Sequence, residues 1–207
     1  MTRVCIALLF LASIAATACA QTQPSPNLPA GLAELVKKQF GPCFELSTHS
    51  SEVKVKYLHP GAEEAPFVPF VTGDVDGDGV EDAVIVAHCK NPLSDEADFG
   101  YKVIDPYYAA HGFGDPKITS QFGSTDPTAG DNLLLVIHGS GAEGWRSATP
   151  KAKFVVINLP FRTMTMGRIR QKKVTVPSIK LIEADSLSSV LFWDGKKYKW
   201  ADVAGSN

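Results

Sequence analysis

Residues 70–88 read Phe70-Val71-Thr72-Gly73-Asp74-Val75-Asp76-Gly77-Asp78-Gly79-Val80-Glu81-Asp82-Ala83-Val84-Ile85-Val86-Ala87-His88. Apolar, β-branched residues precede and follow an acidic, glycine-bearing centre, which describes strand, loop, strand. Ala83 to Ala87 shows no polar alternation, as in a strand covered on both faces. Leu133 to Ile137 and Phe154 to Ile157 are runs of the same kind. Val53, Val55 and Tyr57 alternate with charged residues, the pattern of a half-buried strand. Val190 to Trp193 and Lys197 to Trp200 flank Asp194-Gly195, a strong hairpin signal. One segment, Ala30 to Phe40, has helical periodicity: Leu32, Leu35, Val36 and Phe40 share a face, and Gly41-Pro42 stops it. Between the strands lie long Gly-, Pro- and Asp-rich stretches, notably residues 91–131, too long for simple turns. The expected fold is mainly β or α+β: a compact, antiparallel-rich sheet domain over residues 29–207 with one N-terminal helix.

Carboxylates occupy positions one, three, five and nine of the loop that begins at Asp74. Two carboxylates about 5 Å apart repel by roughly 3 kcal/mol at an effective dielectric of 20. A divalent cation reverses that sign. Calcium takes six to eight oxygens in flexible geometry. Asp74, Asp76, Asp78, the Val80 carbonyl and Asp82 supply oxygens at suitable spacing, and Gly79 permits the reversal between them. The loop is not an EF-hand, because position twelve is Ile85 where that loop needs a bidentate Glu.

The arrangement strand, D-x-D-G-D-G-x-x-D, strand resembles the calcium loop of FG-GAP and VCBS-type repeats, the units of integrin α-chain propellers. Phe70, Gly73, Asp74, Asp76, Asp78, Gly79 and Asp82, with the apolar run after Asp82, carry the resemblance. It implies calcium held between two strands by Asp74, Asp76, Asp78, Val80 and Asp82, and extracellular, often adhesive, roles. A propeller needs several four-stranded blades. Only one complete loop is present, so a complete propeller is not expected.

The N-terminus accords with an extracellular setting. Arg3 is the only charge before Glu34, Val4 to Ala16 is apolar, and Ala18-Cys19-Ala20 forms an A-x-A pattern. Residues 1–20 read as a signal peptide and 21–28 as a polar, Pro-rich linker. Small residues before Cys19 also suit a lipid anchor there. Secreted, periplasmic and lipoprotein destinations all remain open. Cleavage leaves Cys43 and Cys89, which in an exported chain suggest one disulfide. No later stretch is apolar enough to span a membrane. The formal charge of -2 over 207 residues gives no footprint for nucleic acid.

Three further patterns bear on function. Gly139-Ser140-Gly141-Ala142-Glu143-Gly144 fits G-x-G-x-x-G, but Pro150 curtails a following helix and no acidic residue occurs between Glu143 and Glu183 to hold a ribose. There is no G-x-S-x-G elbow, and the five histidines lack metal-ligand spacing. Arg168, Arg170, Lys172 and Lys173 make the densest part of a wholly basic stretch, a candidate anionic-surface contact. The expected function is an exported calcium-binding module that binds an extracellular or envelope ligand, protein or glycan, rather than an enzyme. The alternatives are an exported hydrolase with a structural calcium ion and a nucleophile near His138, and an envelope protein docking through its basic segment.

Overall fold

The computed structural model describes residues 28–48, 66–112, 132–184 and 187–203. The signal-like segment 1–20, nearly all of the linker and the Val53-Val55-Tyr57 stretch lie outside these residues, as does 113–131.

The continuous apolar runs form the middle of one sheet. β3 (Asp82–His88) and β5 (Leu133–His138) lie antiparallel, with Val84 opposite Val136 and Ile85 opposite Leu135. β6 (Ala152–Val156) pairs with the far side of β5, and the short β4 (Lys102–Ile104) runs parallel to β6. Two strands share the other edge of β3. β2 (Phe70–Gly73) covers Asp82 to Ile85, and β1 (Glu45–Leu46) covers Ala87 and His88. A second sheet is an antiparallel meander of β7 (Thr163–Gln171), β8 (Val174–Ala184), β9 (Leu187–Trp193) and β10 (Tyr198–Asp202). The described residues form two antiparallel-rich sheets with short helices and no propeller, in line with the expected fold class.

The lack of polar alternation in β3 and β5 has a direct cause, since both faces of these strands are covered. Ala83, Ile85, Ala87, Leu133, Leu135 and Ile137 point to one side, against Leu32, Val36, Phe40 and Phe44. Val84, Val86, Leu134 and Val136 point to the other, against Met164, Ile179, Leu181 and Leu191 of the second sheet. The result is three layers: helix, sheet, sheet. The helix is α1 (Leu32–Phe40), whose buried face is Leu32, Val36, Gln39 and Phe40. Lys153 on β6 donates its Nζ to the carbonyls of Gln39 (2.7 Å) and Phe99 (2.5 Å), a cation at the C-terminus of α1. Burial holds its pKa below the usual lysine range. Two further helices are α2 (Glu96–Phe99) and α3 (Pro106–Ala110), the latter capped by Asp105, whose Oδ1 accepts from the Tyr108 N–H at 2.8 Å.

The β7–β8 hairpin is the largest element that the sequence hides. Arg168, Arg170, Lys172 and Lys173 interrupt its apolar alternation, and Gly167 and Pro177 read as strand breakers. Pairing of β8 with β9 stops at Ile179 opposite Leu191. Pro177, which has no N–H to offer a third strand, sits just beyond that point, opposite Arg168 of β7. The tip of the hairpin therefore projects as a two-stranded overhang.

Cys43 and Cys89 form a disulfide with Cα atoms 5.2 Å apart, fastening the turn after α1 to the end of β3. It closes a separation of 46 residues. On chain-entropy grounds that is worth at most about 4 kcal/mol. Cys43→Ser and Cys89→Ser should each lower the unfolding free energy from urea titration by an amount approaching that figure, with a matching fall in the midpoint, and the double variant should lose no more than either. An unchanged midpoint would mean that the cross-link constrains nothing the fold does not already hold.

Candidate metal centre

Gly73 and Asp82 are register partners, so the intervening loop leaves and re-enters the sheet at one point. Its path is fixed by its own carboxylates. Asp74 Oδ1 accepts from the N–H groups of Gly77 (2.7 Å) and Asp78 (3.0 Å), and Oδ2 from Gly79 (2.9 Å). Asp76 Oδ1 accepts from the Asp78 N–H at 3.2 Å, and Asp78 Oδ1 from the Val80 N–H at 2.9 Å. Gly79 adopts φ 85°, a left-handed conformation costly for a residue with a Cβ. This winding brings one carboxylate oxygen each from Asp74, Asp76 and Asp78 within 4.8 Å of one another. Three hard oxygens at that spacing could hold a metal ion. Val80, whose N–H is committed to Asp78, has its carbonyl oxygen left to contribute.

Asp82 has a different position from the other three. It is 1% exposed. Its Oδ2 accepts from the N–H groups of Val75 (2.8 Å) and Asp76 (3.3 Å), and its Oδ1 from Gly139 N–H (2.7 Å) across the sheet. Burial pushes its pKa up to about 6 against the opposing pull of those N–H donors, so it is a carboxylate at neutral pH. It is not one of the three clustered carboxylates. In the described geometry it braces the loop from behind.

The loop rests on a second loop. Residues 141–146 form a 3-10 turn that brings Trp145 and Arg146 to Glu81, whose Oε2 accepts from Trp145 Nε1 and Arg146 Nη1, both at 3.0 Å. A Cβ on Gly139 would collide with the Glu81 carbonyl and come 2.6 Å from the Gly144 backbone. The G-x-G-x-x-G pattern is thus explained by backbone-to-backbone docking, with Trp145 packed edge-on to Phe70 (5.4 Å).

Cations and a buried polar chain complete the site. Lys151 Nζ donates to Asp76 Oδ2 (2.7 Å) and Asp78 Oδ2 (2.6 Å). The lysine bond holds the Asp78 carboxyl below the usual range, and the two bonds raise the Lys151 pKa. His138 Nδ1 lies 3.2 Å from Asp76 Oδ2, and Nε2 lies 2.6 Å from Tyr198 Oη. Burial lowers the histidine pKa and raises that of the tyrosine well above its usual value. A neutral ring then donates from Nδ1 to Asp76 and accepts the tyrosine proton at Nε2. Asp76, His138 and Tyr198 resemble a catalytic relay, but His138 is 1% and Tyr198 4% exposed, under Phe154 and Trp193. A relay this enclosed orients Asp76 and offers no reacting atom to solvent.

Sequence reasoning found the three clustered aspartates and missed Lys151, His138 and Tyr198 as their partners. These come from β5, the approach to β6, and β10, and no spacing links them. The one signal available was the glycine pattern, which marks close backbone approach. Arg168, Arg170, Lys172 and Lys173 are exposed on the overhanging hairpin and are not part of the aspartate cluster, although Arg168 and Lys172 line one cleft with Asp74 and Asp76.

Compared with known protein families, characterised proteins and solved structures, the chain matches none. The site itself therefore carries the functional argument.

Gly139→Ala should be strongly destabilising, by roughly 3 kcal/mol or more, since backbone atoms cannot yield to the added methyl. Ser140→Ala next to it should cost no more than about 1 kcal/mol. Asp82→Asn, which sets an amide donor against backbone N–H donors, should cost about 2 kcal/mol. Denaturant midpoints check all three, and a mild Gly139→Ala would show that the two loops are not in register contact.

Proposed function

We propose that the chain is an exported calcium-binding module that acts by binding rather than by catalysis. One observation carries the reading. Asp74, Asp76 and Asp78 present oxygens within 4.8 Å of one another on a loop whose backbone is already wound by hydrogen bonds. The donors are all hard oxygens, which suit calcium or magnesium rather than zinc or copper. A site with three clustered carboxylates exceeds the one or two that magnesium, which keeps most of its waters, usually takes, and favours the larger ion with its higher coordination number. Val80, through its carbonyl, is the further ligand this reading adds, and Asp82, committed to three N–H donors, is the brace behind the loop. Export is supported by the disulfide, a bond of oxidising compartments, together with the signal-like N-terminus. No described helix is long and apolar enough to cross a membrane.

In this reading Lys151 is the internal counter-ion that calcium displaces. The enclosed Asp76–His138–Tyr198 chain supports a positioning role and not the hydrolase alternative. The docking alternative keeps one supporting observation, the exposed cations Arg168, Arg170, Lys172 and Lys173 at the end of a projecting hairpin.

Thermal unfolding with calcium and with EGTA tests the proposal. Calcium at 100 times its dissociation constant should stabilise by about 2.7 kcal/mol. For a domain of this size that raises Tm by on the order of 5–10 °C. Asp76→Ala should abolish the rise, and magnesium should reproduce little of it. No calcium-dependent rise in the wild-type chain would sink the reading. Lys151→Met should bind calcium several-fold more tightly, as a competing ammonium is removed. Equal affinity would mean that the lysine and the ion do not share the site.

A further inference from the structure

The overhanging β7–β8 hairpin and the acidic loop enclose a cleft of about 880 Å³, floored by the end of β9. That is within the size range of small-molecule sites. The charges on its walls differ in one respect that decides what it can hold. Every carboxylate on the cleft already has partners. Asp74 accepts three backbone N–H groups, and Asp76 is bonded to Lys151 at 2.7 Å. Asp194 is paired with Lys199 at 2.9 Å, which lowers its pKa to about 2, and accepts the N–H groups of Lys196 and Lys197. Two cations on the same walls, Arg168 and Lys172, have no hydrogen bond or ion pair to any described residue. Arg168 and Lys172 are therefore the charged groups on the cleft walls that are left without a described partner.

The rest of the lining narrows the class of ligand. Trp193 lies half-buried at the floor, its ring fixed by His138, Phe154 and Tyr198 at centroid distances of 5.1–5.5 Å. A rigid indole gives a platform for the C–H face of a pyranose. Gln171 and Thr175 add neutral donors and acceptors for hydroxyls. An extended peptide would instead seek the unpaired outer edge of β7, away from the indole.

We propose that this cleft binds an anionic saccharide, its carboxylate or sulfate held by Arg168 and Lys172 and one sugar ring stacked on Trp193. The site goes beyond the calcium reading: Asp74 and Asp76 line the same cleft, but the groups that hold the anion and the sugar, Arg168, Lys172 and Trp193, are not among the proposed metal ligands.

The sequence neighbours Arg170 and Lys173 provide an internal control, since they are exposed on the same hairpin but do not line the cleft. Calorimetric titration of the chain would use tetragalacturonate, a heparin tetrasaccharide, maltotetraose and tetraglutamate, each in calcium and in EGTA. At least one anionic saccharide should bind about 10-fold or more tightly than maltotetraose and tetraglutamate, with the carboxylate and sulfate arms identifying which anion is preferred. Arg168→Ala/Lys172→Ala should weaken that binding about 10-fold or more, and Arg170→Ala/Lys173→Ala should leave it within about two-fold. Binding should persist in EGTA. The proposal is overturned if neither anionic saccharide binds, if tetraglutamate binds as well, or if the two double variants lose affinity equally, which would indicate a diffuse basic surface. Loss of binding in EGTA alone would move the anion onto the metal and overturn it as well.

Discussion

The carboxylate of Asp82 holds the centre of this protein together. One of its oxygens is bonded to the loop that precedes β3 and the other to Gly139 at the end of β5. A buried anion with N–H donors on both sides cannot shift without leaving a donor unsatisfied, at a cost of a few kcal/mol. Through it the acidic loop, the glycine loop and the two central strands share one geometry. The glycines at 139 and 144 follow from that constraint, because the loops approach too closely for a Cβ. The Glu81 contacts with Trp145 and Arg146 close the same joint from outside.

Where the physics was local, the sequence was legible. The helix at Leu32–Phe40 follows from its periodicity and its glycine stop, and the β9–β10 hairpin from Asp194-Gly195. β3, β5 and β6 were visible because strands covered on both faces have no polar positions to disguise them. The pairing of Cys43 with Cys89 was readable because only two cysteines follow the signal-like segment. β7 and β8 were hidden because their function as an overhang puts arginine and lysine where a core strand would put valine. Of the site, Asp74, Asp76 and Asp78 were evident from spacing alone. Lys151, His138 and Tyr198 reach it from three separate elements, a juxtaposition that exists only once the sheets have packed.

The distribution of basic residues has a comparable logic. The stretch between Glu143 and Glu183 is uniformly basic in sequence, but its members have separate tasks in space. Arg146 and Lys151 pair with carboxylates of the acidic loop, and Lys153 caps a helix. Arg168, Arg170, Lys172 and Lys173 of the projecting hairpin are exposed and have no described counter-charge. Charge segregation along a chain thus does not predict a basic face. The fold spends part of that charge internally and leaves a remainder at one place.

The two sheets also end in a particular way. On its β3 side the first sheet is bordered by two short strands, the two residues of β1 and the four of β2, and on its β6 side by the three of β4. None offers a long row of free backbone groups. The second sheet has one long outer strand, the nine residues of β7, and its outer half carries Arg168 and Arg170 beside the Lys172-Lys173 turn. A second copy approaching this border would bring like charges together, and edge pairing between molecules is disfavoured on that account. Strands as apolar as β3 and β5 are the kind of segment that seeds fibrils when exposed. Among the described residues, the exposed cations of the hairpin therefore also disfavour pairing along its edge.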